Sequence, residues 1–510
     1  MSDTYTTPPK DTSEKGLALD SPPLESHECG PYDCVETAPM PTRYRVIAIL
    51  MILQFYTGIT FAEHILSPLK TELKKKLHID NAQYGVIASA TSVVNTVLPI
   101  VGGAMMDRWG GAKVAVGSSF MIVLGSLLAA VATLHASYDL LIVGEILIGF
   151  GSTVGEVCQY KLYPHYVAGT RMATVYGMSV GWSRLVQMVA KLAAVPMTNI
   201  QHHWGWAFWI SFMVSVYSFV FVIAYFIFER SLPKEWRPSR QVKVGGTWLE
   251  TSGVGSVLQL PKFFWILVAT QMCQHGAYRV YSLNTTDIQV KTRGTSQQTA
   301  GYKSSVQAVI PIVLAPVAGA FFDRFGHRMT FVSITAVLHI IVFVLIGLTK
   351  VNAIAPIIIS SFAYTTNLLP WFVSLPILVD GEDLIGTAFG VFQAFANSGG
   401  LVMTVAAGAL QDVTPHQSYN YVIYLIIAVK VLDVFLGPFY IWLDRMWLNG
   451  SLQVSEAKRV AILREAKDEG ETLKGLEKSR WATITCGGLY IACTACGITL
   501  YVVYALGSST

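Results

Sequence analysis

One short charged pattern occurs twice in this chain, each time between two long apolar runs. Gly103-Ala-Met-Met-Asp107-Arg108-Trp-Gly110-Gly-Ala-Lys113 returns almost half a chain length later as Gly319-Ala-Phe-Phe-Asp323-Arg324-Phe-Gly326-His-Arg328. The chemistry of the pattern is local. A glycine lets helices approach closely, an aspartate can cap the next helix or hold an arginine, and Gly-Gly or Gly-His makes a tight turn. A lone Asp-Arg-x-Gly fits any helix–turn–helix junction. Two copies in matching places mark an internal repeat, and that constrains the fold more than any single residue does.

The runs around the repeat set the class. Hydrophobic residues make up 53% of the 510 and charged residues only 13%, about half the charged share of a soluble domain. Spans are expected at 44–66, 82–106, 112–133, 138–160, 172–195 and 206–228. After a polar stretch come 263–286, 301–322, 329–349, 354–379, 384–409 and 421–443. Each has about 20 residues or more, enough to cross a hydrocarbon core of about 30 Å. The expected fold is an all-α membrane protein with two six-helix halves, 44–228 and 263–443, around a central cavity. The remaining parts are a disordered cytoplasmic tail (1–43), a cytoplasmic linker (229–262), a charged cytoplasmic segment (444–480) and a hydrophobic piece (481–510) that reads as an accessory helix. A re-entrant or interfacial piece is the alternative there. Two halves sharing one hinge are the organisation of alternating access.

Loop charge gives the orientation. With the amino terminus inside, Lys and Arg number 20 in inner loops against seven in outer ones, which puts both repeated hinges on the cytoplasmic side. Lys74, Lys75 and Lys76 are a local exception on the outer side. No short apolar stretch with a cleavage site precedes the first span, so no cleaved leader is expected. The seven cysteines suggest no disulfide framework: Cys29 and Cys34 lie in the tail and the others in apolar runs. No basic patch points to nucleic acid.

The twelve spans, the central polar loop and the paired hinges make the chain resemble the major facilitator superfamily. That resemblance implies that spans one, four, seven and ten line the cavity and that spans two, five, eight and eleven support it. It also implies that Asp107, Arg108, Asp323 and Arg324 act as a conformational lock. Two departures stand out. Glu145 occupies the fourth span ahead of Gly149-Phe-Gly151, where the family often has Arg, and the fifth span lacks the Gly-Pro of drug/proton antiporters.

Ionisable residues inside spans cost about 2.5–3.5 kcal/mol each at the helix centre, so they face a cavity or a partner. Glu63 and His64 (span one), Glu145 and Glu156 (span four), Arg184 and Lys191 (span five), and His275 and Arg279 (span seven) all fall on lining or flanking helices. Glu145, Arg184, His275, Arg279, Asn367 and Trp371 are the candidate substrate-binding residues. Glu63, His64, Glu156 and Lys191 are the candidates for coupling. Glu145 is expected at the depth of Arg184, and a static Glu145–Arg184 or Glu145–Lys191 pair is the plain structural alternative. Asn367 and Trp371, between Pro370 and Pro376, read either as cavity wall or as kink geometry. Lys430 and Asp433 are expected to pair with each other, and His339 to be structural.

These residues suit secondary transport of a small polar or charged solute, with two cations favouring an anion or a zwitterion. A carboxylate or histidine that changes protonation between conformations would couple the cycle to protons. Ser183-Arg184 and the acidic fourth span resemble lysosomal amino-acid and dipeptide carriers. A second class is a soft metal: Cys158, Met272, Cys273 and His275 suit Cu(I), and the chain also resembles the superfamily's fungal copper-moving branch. A non-transporting nutrient receptor is the third. No phosphate loop, nucleotide motif or nucleophile–base pair suggests an enzyme or a bound cofactor. The membrane is plasma or vacuolar/lysosomal.

Overall fold

The computed structural model of the chain describes residues 40–78, 81–167, 171–198, 200, 204–238, 253–379, 384–415, 418–468 and 474–507. The expected disordered tail, with Cys29 and Cys34, lies almost wholly outside the described residues, as does the middle of the linker. All twelve expected spans are helices. Span one runs as Thr42–Leu53 and Phe55–Leu77, followed by Asn81–Trp109, Gly111–His135, Tyr138–Val167, Met172–Thr198 and Trp206–Ser231. The second set is Lys262–Arg293, Gln297–Phe325, Arg328–Gly347, Ile354–Leu378, Ile385–Val413 and Asn420–Trp447. A thirteenth long helix, Arg480–Gly507, closes the series. Ten of the described helices are long and apolar enough to cross a membrane. Spans two, five and seven complete the set as helices of 29, 27 and 32 residues.

Several helices run past the apolar runs that revealed them, because polar residues continue a helix beyond the hydrocarbon. The outer lysine run is one such extension. Lys74, Lys75 and Lys76 form the last turn of their helix, where the carbonyl end of the macrodipole favours positive charge. Span one breaks at Gln54 without proline or glycine. Ser218 of span six donates to the Gln54 carbonyl at 2.5 Å, and Gln159 of span four donates to the Ile52 carbonyl at 3.2 Å. Side chains that insert into the backbone ladder bend a helix in this way.

The two halves meet along spans two and eleven and along spans five and eight. Small residues sit at both seams. A Cβ added at Gly103 would collide with the backbone of Gly386, and one at Gly319 with that of Ala173. At the same end of each seam a hinge aspartate bridges the halves. Asp107 accepts from the Gly386 and Thr387 amides at 3.0 and 2.7 Å and from the Thr387 hydroxyl at 2.6 Å. Asp323 accepts from the Ala173 and Thr174 amides at 2.9 and 2.8 Å and from the Thr174 hydroxyl at 2.6 Å. Each aspartate thus caps the first turn of a helix in the opposite half, where free N–H groups and the positive dipole end favour a carboxylate. The sequence reading had each capping its own next helix or holding an arginine. Instead Asp107 pairs with Lys161, and the two are almost fully buried. Arg108 and Arg324 both lie at the exposed surface, Arg324 over the Phe325 ring.

Below the second half, the segment after span twelve packs back onto the repeated hinge. Arg328, the last residue of the second copy, is fully buried and donates to Glu456 at 2.8 Å; Glu456 also pairs with buried Arg459. Burial alone would push the Glu456 carboxyl up, but the charges and hydrogen bonds of Arg459 and Arg328 outweigh it and hold it below its ordinary range. A depressed carboxylate stabilises the fold above its unfolded pKa of about 4.3, and this is lost as pH falls through the folded value. Glu456→Gln should therefore lower thermal stability at neutral pH, by about 3–5 kcal/mol for two buried arginines left without their acid. Melts of wild type and variant should converge in strong acid; a gap that persists there would contradict the pairing.

The thirteenth helix packs against spans seven, eleven and two. A helix that crosses places the carboxyl terminus opposite the amino terminus. Epitope tags at the two ends should become accessible from opposite sides of sealed membranes, and two cytoplasmic tags would exclude a crossing.

Candidate functional site

Above the seams lies a cavity of about 1060 Å³, counting its open mouth, lined from spans one, two, four, five, seven, ten and eleven. Its charged lining is Glu156, Arg184 and Arg279, with His64 and His275 beside them. A recess of about 310 Å³ opens from it between spans one, two, four and eleven. That recess is lined by Glu63, Asn95, Ser152, Thr153, Glu156 and neighbours, so it is the acidic end of the space.

The helices hold these groups by local bonds. Arg184 donates to Gln187 one turn on at 2.8 Å and lies 5.3 Å from the centre of the Tyr364 ring. Tyr364 in turn stacks on Tyr278 at 4.0 Å, so an aromatic pair fixes the guanidinium. Arg279 passes beside Gly400, where a Cβ would approach its Cδ to 2.6 Å; the missing side chain makes room for the arginine stem. Glu156 accepts from the Tyr160 hydroxyl at 3.1 Å and hydrogen-bonds with Gln393. Glu63 hydrogen-bonds with Ser152 and lies within electrostatic reach of Arg279. Among the described residues no ion pair within 4.0 Å joins either carboxylate to either guanidinium. Two acids and two cations therefore face one space without neutralising each other by contact.

The end of the cavity nearer the hinges is shut by a floor of rings. Tyr160 lies 4.5 Å from Phe372 and 5.3 Å from Phe389, and Tyr176 packs on both phenylalanines. Tyr160 and Tyr176 come from the first half, Phe372 and Phe389 from the second. Opening this floor requires the halves to part, and the Asp107 and Asp323 clamps lie beyond it. The structure is that of a chain closed at its hinge end.

The structure sorts the candidate residues. Arg184, His275, Arg279, His64 and Glu156 line the cavity, and Glu63 lines the recess. Glu145 does neither. It is buried, one carboxylate oxygen has no hydrogen-bond partner, and it makes no ion pair with Arg184 or Lys191 among the described residues. Span four continues to Val167 rather than ending near residue 160. Counted from the end where spans four and five join, Glu156 is then about 17 Å deep and Arg184 about 18 Å, so Glu156 and not Glu145 shares the depth of the arginine. Lys191 is half-buried behind the lining. Asn367 and Trp371 also point elsewhere: Asn367 donates to Thr335 of span nine, and Trp371 packs edge-on against Tyr440 of span twelve. The lining face of span ten is Tyr364, Leu368 and Phe372, about 100° around the helix. Those two residues are internal packing.

The soft-metal set does not converge. Cys158 is fully buried in the first half, Met272 packs beneath Gly399, Cys273 is exposed, and His275 faces the cavity. Among the described residues no group of three His, Cys, Asp or Glu could hold a metal. As expected, Lys430 pairs with Asp433 at 2.7 Å, and His339 holds the Thr335 carbonyl. Sequence reading missed the neutral lining: Tyr56, Asn95, Gln187, Gln271, Gln393 and Asn397. Polar amides inside apolar spans were the available signal.

The description Major Facilitator Superfamily matches residues 49–404. The chain belongs to this superfamily. Its curated relatives include the lysosomal dipeptide transporter MFSD1 of Bos taurus, 20% identical over 82% of this chain and 90% of that protein. Another is the probable galactarate/D-glucarate transporter GudP of Escherichia coli, 23% identical over 73% of this chain and 88% of that one. Among solved structures, the E. coli fucose:proton symporter FucP superposes with a TM-score of 0.59 over 79% of this chain and 99% of its own, at 14% identity. Family and fold are those of membrane transporters that move small solutes by secondary transport.

Proposed function

We propose that this superfamily member carries a small zwitterion, with dipeptides as the leading class, by alternating access. The observation that carries the reading is the unneutralised charge set. Glu63 and Glu156 stand toward the recess, and Arg184 and Arg279 line the main cavity. A substrate ammonium bound at the acidic end and a carboxylate bound at the arginines would satisfy both. Guanidinium forks suit carboxylates, since they donate two parallel hydrogen bonds. The relation to the dipeptide transporters supports this substrate class, and the polar amides of the lining suit the peptide bond between the charged ends.

Binding satisfies charges that repel rearrangement while they stand bare. With the substrate in place, the halves rock, the Asp107 and Asp323 clamps release, and the aromatic floor parts. When the ammonium leaves, Glu63 or Glu156 takes a proton, which links return of the carrier to a proton gradient. Uptake of labelled dipeptides into proteoliposomes, with and without a pH gradient, tests this. Saturable uptake that rises with acid on the side of release, and falls with acid on the substrate side, is expected. Uptake indifferent to the gradient would remove the proton step, and no dipeptide uptake would remove the substrate class. A dianion is the second reading, favoured by the two arginines; it would require both carboxylates to be protonated.

A further inference from the structure

The thirteenth helix has no place in the two-times-six plan, and its contacts are uneven between the halves. On the second half it is held at several points. The Tyr490 ring stacks on Phe395 of span eleven at 4.9 Å, and Thr494 and Ser398 share a hydrogen bond of 2.9 Å. Gly497 packs against Leu401 and Val402, and Cys486 approaches the Trp265 carbonyl of span seven at 3.9 Å. Across the seam the hydrogen bond is from the Tyr490 hydroxyl, which donates to the Thr96 carbonyl of span two at 2.5 Å.

Span two offers its backbone there because of Pro99. Proline has no N–H, so the Asn95 carbonyl lacks its partner four residues on, and the Asn397 amide of span eleven donates to it at 3.0 Å. Thr96 lies in the same loosened turn. The kink therefore presents carbonyls at the seam, and the second half supplies two donors. The depths agree: Thr96 lies about 17 Å above Asp107, and Tyr490 about 15 Å above Arg480.

We infer that the thirteenth helix is a strap that travels with the second half and latches span two through Tyr490 while the cytoplasmic side is closed. A hydrogen bond tolerates a stretch of only about half an ångström before it weakens. Rocking of span two against span eleven breaks the latch, so the helix biases the carrier toward the closed-inside state. This inference does not depend on the substrate.

Hydrogen exchange of the full-length protein at the Gly386 and Thr387 amides reads the opening, because Asp107 holds both only while that side is shut. Tyr490→Phe keeps the ring stack and removes the donor. Exchange at these amides should rise about five-fold, the population equivalent of one net hydrogen bond. Ser398→Ala removes the bond to Thr494 within one moving body, without touching the Tyr490 hydroxyl, and should leave it unchanged. Wild-type exchange in Tyr490→Phe, or an equal rise in both variants, would overturn the strap.

Discussion

Arg184→Lys and Arg279→Lys should each weaken substrate binding by about ten- to a hundred-fold while leaving thermal stability close to wild type. Lysine keeps the positive charge and loses the planar fork that meets a carboxylate with two hydrogen bonds. For Arg184 it also loses the stacked contact with Tyr364. Neither arginine closes an ion pair within 4.0 Å of an acid among the described residues, so the fold does not depend on a fork–carboxylate bond at either site. Alanine would be a poorer probe, since it opens a void and removes charge together. Binding to the purified variants, measured beside melting curves, separates the cases. Lost stability with unchanged affinity would make Arg279 half of a structural pair and end its binding role.

Asp107→Asn and Asp323→Asn should act on the cycle rather than on the site. Each removes the charge that caps a helix in the opposite half, and each charged hydrogen bond contributes about 1.5–3 kcal/mol. The closed-inside state should lose one to two decades of population relative to the open one, and net transport should slow at least ten-fold. Substrate affinity in equilibrium binding should change far less. Asp107→Asn should also cost more stability than Asp323→Asn, because it leaves buried Lys161 without its acid. An equal loss of affinity and flux in either variant would contradict a lock.

What could be read in the sequence follows from range. Apolar length and the repeated hinge are local in the chain, so the twelve spans, the two halves and the matching places of Asp107 and Asp323 were legible. Their capping partners were not. Gly386 and Thr387 lie in the other half of the chain from Asp107, and nothing near Asp107 names them. Depth failed for Glu145 because polar residues carried span four past its apolar run. Phase failed for Asn367 and Trp371, because span ten is buried on several sides and its proline kinks do not mark the cavity face. Charges were found because they are costly in a membrane. The amides Asn95, Gln271, Gln393 and Asn397 were passed over, since a neutral polar group in a helix carries a weaker signal.

The most direct test of the zwitterion reading is calorimetric titration of the purified, full-length protein with one dipeptide and with its amino-acetylated and carboxyl-amidated forms. If Glu63 and Glu156 receive the ammonium while Arg184 and Arg279 receive the carboxylate, blocking either end should weaken binding at least ten-fold. Glu156→Gln should blunt the penalty of acetylation, and Arg184→Lys that of amidation. Blocked forms that bind as tightly as the free dipeptide would contradict a site built for opposite charges.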